Sequence, residues 1–302
     1  MPITNAVVPV AGLGTRLLPA TKSQPKEMLP VGKRPVVQYV VEELERNGFR
    51  RVLFITGPNK DSIENHFDHD AILIRHLRES GKEELLEELE FERADLHFFY
   101  TRQKSQRGLG DAVLHAAEFS GQAPFAVALG DSIIGRHAQS TLLAQMKELF
   151  LETPCAAVIA FEEVAPEEVH QYGIAEPRSV PRAGETFELR DIIEKPARGE
   201  APSNLAVAAR YIFSDHIFPA LRETKPGKGG EIQLTDAIRL LLSGGERVLG
   251  VSLPANQKRY DIGNFDSYFE AFLDFALSDP AHGPRLRQHA RELMREFDDE
   301  KN

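Results

Sequence analysis

The sequence predicts an α/β fold: a mainly parallel, mixed sheet flanked by helices, with a small antiparallel sheet region added in its second half. Three observations predict it. Short apolar runs alternate with helically spaced patterns, and the runs are continuous rather than alternating, as strands buried on both faces read. From Ala156 to Phe213 the strand-like runs follow one another with little helix between, which predicts mixed or antiparallel pairing there. The first run, Ala6-Val7-Val8-Pro9-Val10, empties into a glycine-rich basic loop, the order in which α/β proteins build a phosphate cradle.

Strands are expected near Ala6–Val10, Val52–Thr56, His97–Tyr100, Phe125–Leu129, Ala156–Phe161, Leu189–Ile193, Leu205–Phe213 and Val248–Val251. Val37, Val40, Val41 and Leu44 share a helical face, with Pro35 placed as the first helical residue. Leu114 and Ala117 after Gly110 mark another helix. The glutamate-rich run Ser80–Asp95 carries Leu85, Leu86 and Leu89 at helical spacing and reads as a solvated amphipathic helix. Leu286, Leu293, Met294 and Phe297 give the tail from Pro284 to Glu300 the same character. With no repeat, low-complexity tract or linker, the expectation is one domain over 1–302. Its C-terminal helices, about 265–302, are expected to pack on that domain or on a partner subunit.

At 302 residues the chain is long enough for a substantial core, and 42% hydrophobic with 27% charged residues is ordinary for a soluble globular protein. No apolar run approaches the roughly 20 residues that cross a bilayer. Met-Pro-Ile-Thr-Asn lacks the basic start and apolar core of a signal peptide, so a cytoplasmic location is expected. The single cysteine, Cys155, excludes an internal disulfide; opening an apolar run, it reads as a small core residue rather than a nucleophile. A net charge of −10 argues against nucleic acid and membrane surfaces as partners. It does not argue against a small anion, because the first loop is locally positive.

Between Gly12 and Arg34 stand Arg16, Lys22, Lys26, Lys33 and Arg34 against one acid, Glu27, a net +4. The loop is not a dinucleotide fingerprint, since Leu17 occupies the third glycine's place and Thr56-Gly57 replaces the acid after the second strand. Nor is it a P-loop, because Thr15-Arg16 follows Gly14 where Lys-Ser/Thr is required. Gly12 and Gly14 let the backbone approach a nucleotide, and Arg16 and Lys26 neutralise its phosphates. Pro25 and Met28-Leu29 hold Lys26 in place rather than leaving it a solvated surface charge. Asp131, at the end of Phe125-Ala-Val-Ala-Leu-Gly-Asp, sits where open α/β sheets collect ligands and supplies the carboxylate a phosphate-bound metal needs. Asp261 in Arg-Tyr-Asp-Ile-Gly-Asn is a second candidate; either acid is otherwise a turn or cap residue. Glu194-Lys195-Pro196 pairs an acceptor for sugar hydroxyls with a cation for a phosphate, and Gln103 offers an amide for a base. These residues describe a nucleotide- and Mg²⁺-binding enzyme acting on a second anion.

Taken in order, the motifs resemble those of the bacterial UTP–glucose-1-phosphate uridylyltransferases, within the sugar-1-phosphate nucleotidyltransferase superfamily. The matching stretches are 8–22, Pro-Lys-Glu-Met-Leu-Pro (25–30), 38–43, Arg-Gly-Leu-Gly-Asp-Ala-Val (107–113), Tyr-Gly-Ile (172–174), Glu-Lys-Pro (194–196), Arg-Tyr-Ile (210–212), 224–238 and Tyr-Asp-Ile-Gly-Asn (260–264). The resemblance implies a Rossmann-like nucleotidyltransferase fold and a homodimer or homotetramer. It implies that Ala11, Gly12, Leu13, Gly14, Thr15, Gln103 and Gly108 bind the nucleotide, with Gln103 and the Ala11-Gly12 backbone on uracil. Arg16 and Lys26 would face the triphosphate, and Asp131, with Asp261, would hold Mg²⁺. Gly173, Glu194 and Asn204 would meet the glucose, while Lys195 binds the sugar phosphate. The chain departs from the family at Gly130-Asp131-Ser132-Ile133-Ile134-Gly135, at Val31-Gly32-Lys33-Arg34-Pro35, and at Ala209-Arg210-Tyr211, where the family reads Gly-Arg-Tyr; these departures bear on sugar preference.

The reaction so implied is in-line displacement, UMP passing from UTP to α-D-glucose 1-phosphate with release of pyrophosphate. Arg16, Lys26 and Lys195 are its expected catalytic cations. The alternatives are the same chemistry with another nucleotide, such as dTTP, or another hexose phosphate, and a non-catalytic paralogue that binds sugar nucleotide.

Overall fold

The structure is a computed structural model that describes residues 2–299. Met1 and residues 300–302 lie outside them, and with them the last residue of the expected tail helix and the ends of the 1–302 span. The first half contains β1 (Asn5–Pro9), β2 (Pro30–Val31), β3 (Arg34–Pro35), α1 (Val36–Arg46), β4 (Arg51–Thr56), α2 (Asp61–Phe67), α3 (Ala71–Glu79), β5 (His97–Arg102), α4 (Leu109–Leu114), α5 (Ala117–Ser120), β6 (Phe125–Ala128) and β7 (Ser132–Ile134). The second contains α6 (Leu142–Glu152), β8 (Ala157–Glu163), β9 (Gly173–Pro177), β10 (Thr186–Glu194), β11 (Leu205–Phe213), α7 (Ile217–Glu223), α8 (Leu234–Ser243), β12 (Val248–Ser252), β13 (Arg259–Asp261), α9 (Phe265–Ser278) and α10 (Gly283–Asp299).

Among the described residues nine strands form one sheet in the order β5-β4-β1-β6-β11-β8-β12-β10-β9. The strands from β5 to β6 are parallel. β11 runs antiparallel to both β6 and β8, and β12 returns parallel to β8. β10 and β9 close the far side antiparallel, and β9 also reaches β11 at Ala206↔Ile174, so this half curls back on itself. The expected change from parallel to mixed pairing therefore falls at β11.

Alternate strand residues feed two separate cores, which is why the strands read as continuously apolar. Val7, Leu53, Phe125 and Val127 join one cluster with residues of α4, α7 and α8. Ala6, Val8, Val52, Phe54 and Ala126 join another with Val37, Val40 and Leu44 of α1. A third cluster, holding Leu17, Val31, Tyr39, Ile133, Tyr260 and Phe275, fastens the two-stranded β7–β13 sheet to α9.

Three local expectations need correction. Residues Glu83–Arg93 form a 3₁₀ run rather than an α-helix; no residue of the run is buried as a whole, and it touches the second core through Phe91, stacked on His66 at 4.7 Å, rather than through its leucines. Pro35 caps α1 with extended backbone (φ −60°, ψ 148°), so helix begins at Val36. The helix expected after Gly110 is broken into α4 and α5.

Candidate active site

The loops behind the carboxyl edges of β1 and β6 wall a cleft of about 560 Å³, the place where open α/β sheets take ligands. Val10 N–H donates to Ile55 O (2.9 Å), extending the β1–β4 ladder as far as the loop. Gly14 turns through the left-handed region (φ 67°), and its carbonyl accepts from the Thr21 hydroxyl (2.8 Å). Ala11, Gly12, Leu13, Gly14, Thr15 and Arg16 all line the cleft, with Leu13 68% exposed at its mouth. Gln106 Nε2 holds the Ala11 carbonyl at 2.7 Å from the opposite wall.

Lys26 begins a 3₁₀ turn, and its Nζ forms an ion pair with Asp131. Burial alone would lower the Lys26 pKa, but the carboxylates of Asp131 and Glu27 outweigh it and hold the ammonium above its ordinary range. The same contact overcomes burial at Asp131 and holds that carboxyl below its usual range. The turn is fixed from behind, where buried Glu27 accepts from buried Lys60 Nζ at 2.8 Å.

The β7–β13 ladder brings the two acids together, pairing Ser132 with Asp261 while Ile262 N–H donates to Asp131 O (2.9 Å). Ser132 Oγ donates to Asp261 Oδ1 (3.3 Å). Burial first, then the neighbouring Asp131 charge, pushes the Asp261 carboxyl above its ordinary value. Arg259 pairs with Glu162, lies 3.8 Å from Asp261 Oδ1, and covers the Tyr172 ring at 4.8 Å.

Across the cleft, Gln103 is buried and donates from Nε2 to Asp111 Oδ2 (2.7 Å) and Gly108 O (3.2 Å). A Cβ on Gly108 would come within 2.7 Å of Ile232 O, so only glycine lets this loop lie against 231–232.

The sugar candidates stand behind the wall of the cleft rather than on it. Gly173, Glu194, Lys195 and Asn204 do not line this cleft; Gln171 and Tyr172, just before Gly173, do. Gly173 and Glu194 are cross-strand partners of β9 and β10, and Glu194 Oε2 accepts from Thr235 Oγ1 (2.7 Å). Lys195 Nζ is 3.3 Å from Glu194 Oε1, and its N–H donates to Tyr172 O (2.9 Å). Asn204 precedes β11, and its carbonyl accepts from Val164 N–H (3.0 Å).

The profile of the nucleotidyl transferase family matches residues 5–277. The chain is 40% identical to the UTP–glucose-1-phosphate uridylyltransferase of Staphylococcus haemolyticus (strain JCSC1435), over 96% of this chain and 98% of that one. It superposes on UTP-bound UGPase from Acinetobacter baumannii with a TM-score of 0.87 at 37% identity, covering 96% of this chain and 99% of the other. It matches a UDP-glucose pyrophosphorylase complexed with UDP-glucose with a TM-score of 0.80 at 39% identity, over 90% and 98% of the two chains. The chain belongs to the nucleotidyl transferase family, among its UTP–glucose-1-phosphate uridylyltransferases.

This nucleotidyltransferase carries a donor set suited to a hard cation. Among the described residues no three His, Cys, Asp or Glu side chains gather to cage a metal. Two carboxylates at one end of a short ladder, Asp131 just before β7 and Asp261 at the end of β13, opposite a lysine, fit an ion that takes one or two carboxylates and fills its shell with phosphates and water, as Mg²⁺ does. The closed nitrogen and sulfur cage of structural zinc does not fit. Cys155 does not line the cleft; burial pushes its thiol up to about 11, and it packs against the second core.

Sequence reasoning missed Arg259, Gln106, Asp111, Lys60 and Thr235. Arg259 stands two residues before Asp261, so strand alternation would have placed both side chains on one face, had a three-residue strand been readable.

Proposed function

We propose that the chain transfers UMP from UTP to α-D-glucose 1-phosphate, giving UDP-glucose and pyrophosphate. The observation that carries this reading is the Lys26–Asp131 pair with Asp261 beside it, set at the foot of a glycine-rich loop in a chain so similar to uridylyltransferases along its length.

In this reading the backbone of Ala11-Gly12-Leu13-Gly14-Thr15 and the side chain of Gln103 take the nucleoside, with Gly108 leaving room beside it. Arg16 and Lys26 meet the triphosphate, and Lys26 exchanges its carboxylate partner for phosphate oxygens when the nucleotide enters. Glu194 accepts from glucose hydroxyls across Gly173, Asn204 steadies the sugar end, and Lys195 holds the sugar phosphate. A phosphate oxygen of glucose 1-phosphate attacks the α-phosphorus in line, and the bond to the β-phosphate bridging oxygen breaks as pyrophosphate leaves. Nucleophile and leaving group are both already good, so no covalent enzyme intermediate is needed, and catalysis is positioning plus charge neutralisation. Asp131 and Asp261 would hold Mg²⁺, whose charge would add to that of Arg16, Lys26 and Lys195 in neutralising the triphosphate.

The reading extends to a cytoplasmic homodimer or homotetramer. Phe269, Phe272 and Leu273 of α9 and Met294 and Phe297 of α10 are exposed large apolar side chains, which supports self-association.

The deciding assay is pyrophosphate release with a panel of nucleotides, dTTP among them, and hexose 1-phosphates. UTP with glucose 1-phosphate is expected to be preferred, and a purified enzyme releasing none with that pair overturns the reading. Lys26→Ala and Asp131→Asn are each expected to lower kcat/KM by about 10²–10³-fold, the scale on which charge-stabilising groups act. Wild-type turnover in either variant removes that residue from the mechanism.

A further inference from the structure

Gln103 follows β5, its N–H donating to Thr56 O at 2.9 Å, and its side chain is only 3% exposed where it lines the cleft. Its amide nitrogen has two hydrogens and two acceptors, Asp111 Oδ2 at 2.7 Å and Gly108 O at 3.2 Å, so its donor capacity is spent. Among the described residues no donor reaches Oε1, which leaves the oxygen as the part of the amide that a ligand can meet. Asp111 is itself buried, and Arg107 closes on its other oxygen, Nε at 3.1 Å and Nη2 at 2.6 Å from Oδ1. An ionised carboxylate only accepts, so the flipped amide would set Oε1 against two acceptors at once.

We propose that Asp111 is a positioning residue that selects the pyrimidine. By fixing which end of the Gln103 amide faces the cleft, it presents an acceptor to the ring nitrogen between the two substituted carbons. Uracil and thymine carry N–H there and donate to Oε1. Cytosine carries a lone pair at that nitrogen and an amino group beside it, so its ring nitrogen meets Oε1 acceptor to acceptor. A site built around one hydrogen-bonding sense rejects the base lacking it far more strongly than an apolar pocket would. The proposal rests on the reading of Gln103 as a base contact and adds the residue that gives this contact its sense.

The test compares kcat/KM for UTP and CTP, with glucose 1-phosphate, in the wild type, Asp111→Asn and Gln103→Met, with melting temperatures alongside. Asp111→Asn keeps size and shape, but its amide can donate as well as accept, so Gln103 becomes free to turn over. The UTP:CTP ratio is expected to fall about tenfold or more. CTP turnover should rise in absolute value, and KM for glucose 1-phosphate should stay unchanged. A merely structural role would lower both nucleotides together. An unchanged ratio in Asp111→Asn, with the ratio lost in Gln103→Met, overturns the proposal and leaves the base contact standing. A ratio retained in Gln103→Met shows that Gln103 does not read the base, and the underlying assignment fails with the proposal. Should Asp111→Asn not fold, wild-type competition decides: CDP displacing UDP-glucose as well as UDP does overturns the proposal.

Discussion

Ala209 carries a local conflict, a buried alanine in the left-handed region (φ 58°) within a strand. The β11–β8 register breaks between Val207 and Tyr211, so the strand kinks there, and the Ala209 carbonyl turns to accept from Leu129 N–H at 3.1 Å. A Cβ in that conformation costs about 1–2 kcal/mol. Replacing the alanine by glycine removes this strain, but it also gives up about 0.8 kcal/mol of buried methyl and about 0.4–1 kcal/mol through a freer unfolded chain. The effects nearly cancel, so Ala209→Gly is expected to be close to neutral in urea denaturation. Ala208, equally buried, has no positive φ to relieve and should lose about 1–2 kcal/mol on the same change. Equal losses at the two positions would show that Ala209 is not strained.

Next in sequence, Arg210 ties three elements together without reaching solvent. It sets Nε and Nη2 at 3.2 and 2.6 Å from Glu43 Oε2 on α1, and Nη2 at 2.9 Å from the carbonyl of Ser132 on β7. Taking away one member of a buried pair strands the other charge, which costs about 3–5 kcal/mol, more than the pair itself contributes. Arg210→Met is therefore expected to destabilise by about that amount in chemical denaturation, and adding Glu43→Gln should recover part of it. A double variant no better than the single would place the loss in packing instead. The same elements show what the sequence disclosed. β1, β4, β6 and β11 were legible because each is buried on two faces and reads as an unbroken apolar run. Lys26 and Asp131 were legible because each follows a strong punctuation, Pro25 and Gly130. β7 and β13 were not, being three residues each with no pattern to repeat, and it is their pairing that sets Asp261 against Asp131. Arg259, Asp111 and Thr235 went unseen for the same reason, since their partners are supplied by register and packing. The helix expected over 80–95 forms instead as a 3₁₀ run over 83–93, because leucine spacing fixes a helical face only where the leucines themselves are covered, and Leu85 stays 44% exposed.

Across the whole molecule, the apolar clusters divide the chain unevenly. The third cluster closes with Ala271 and Phe275 of α9, and no residue beyond Phe275 contributes to any described cluster. α10 meets the rest of the chain chiefly through α9 and buries none of the apolar side chains on its stripe, leaving Met294 and Phe297 more than half exposed. A helix attached in this way adds little to the stability of one protomer, because burial of apolar area is the main stabilising contribution and here it is small. In the proposed homo-oligomer, this apolar stripe is the surface a second copy would cover. Deleting residues 281–302 is therefore expected to leave the circular dichroism of the sheet and the melting midpoint nearly unchanged, within about 2–4 °C, a shift that corresponds to about 1 kcal/mol in a large domain. Sedimentation velocity on the same protein is expected to show a smaller species than the full chain. A truncated chain that melts far lower yet keeps its association state would place α10 in the protomer's own core and leave α9 alone to carry any contact between copies.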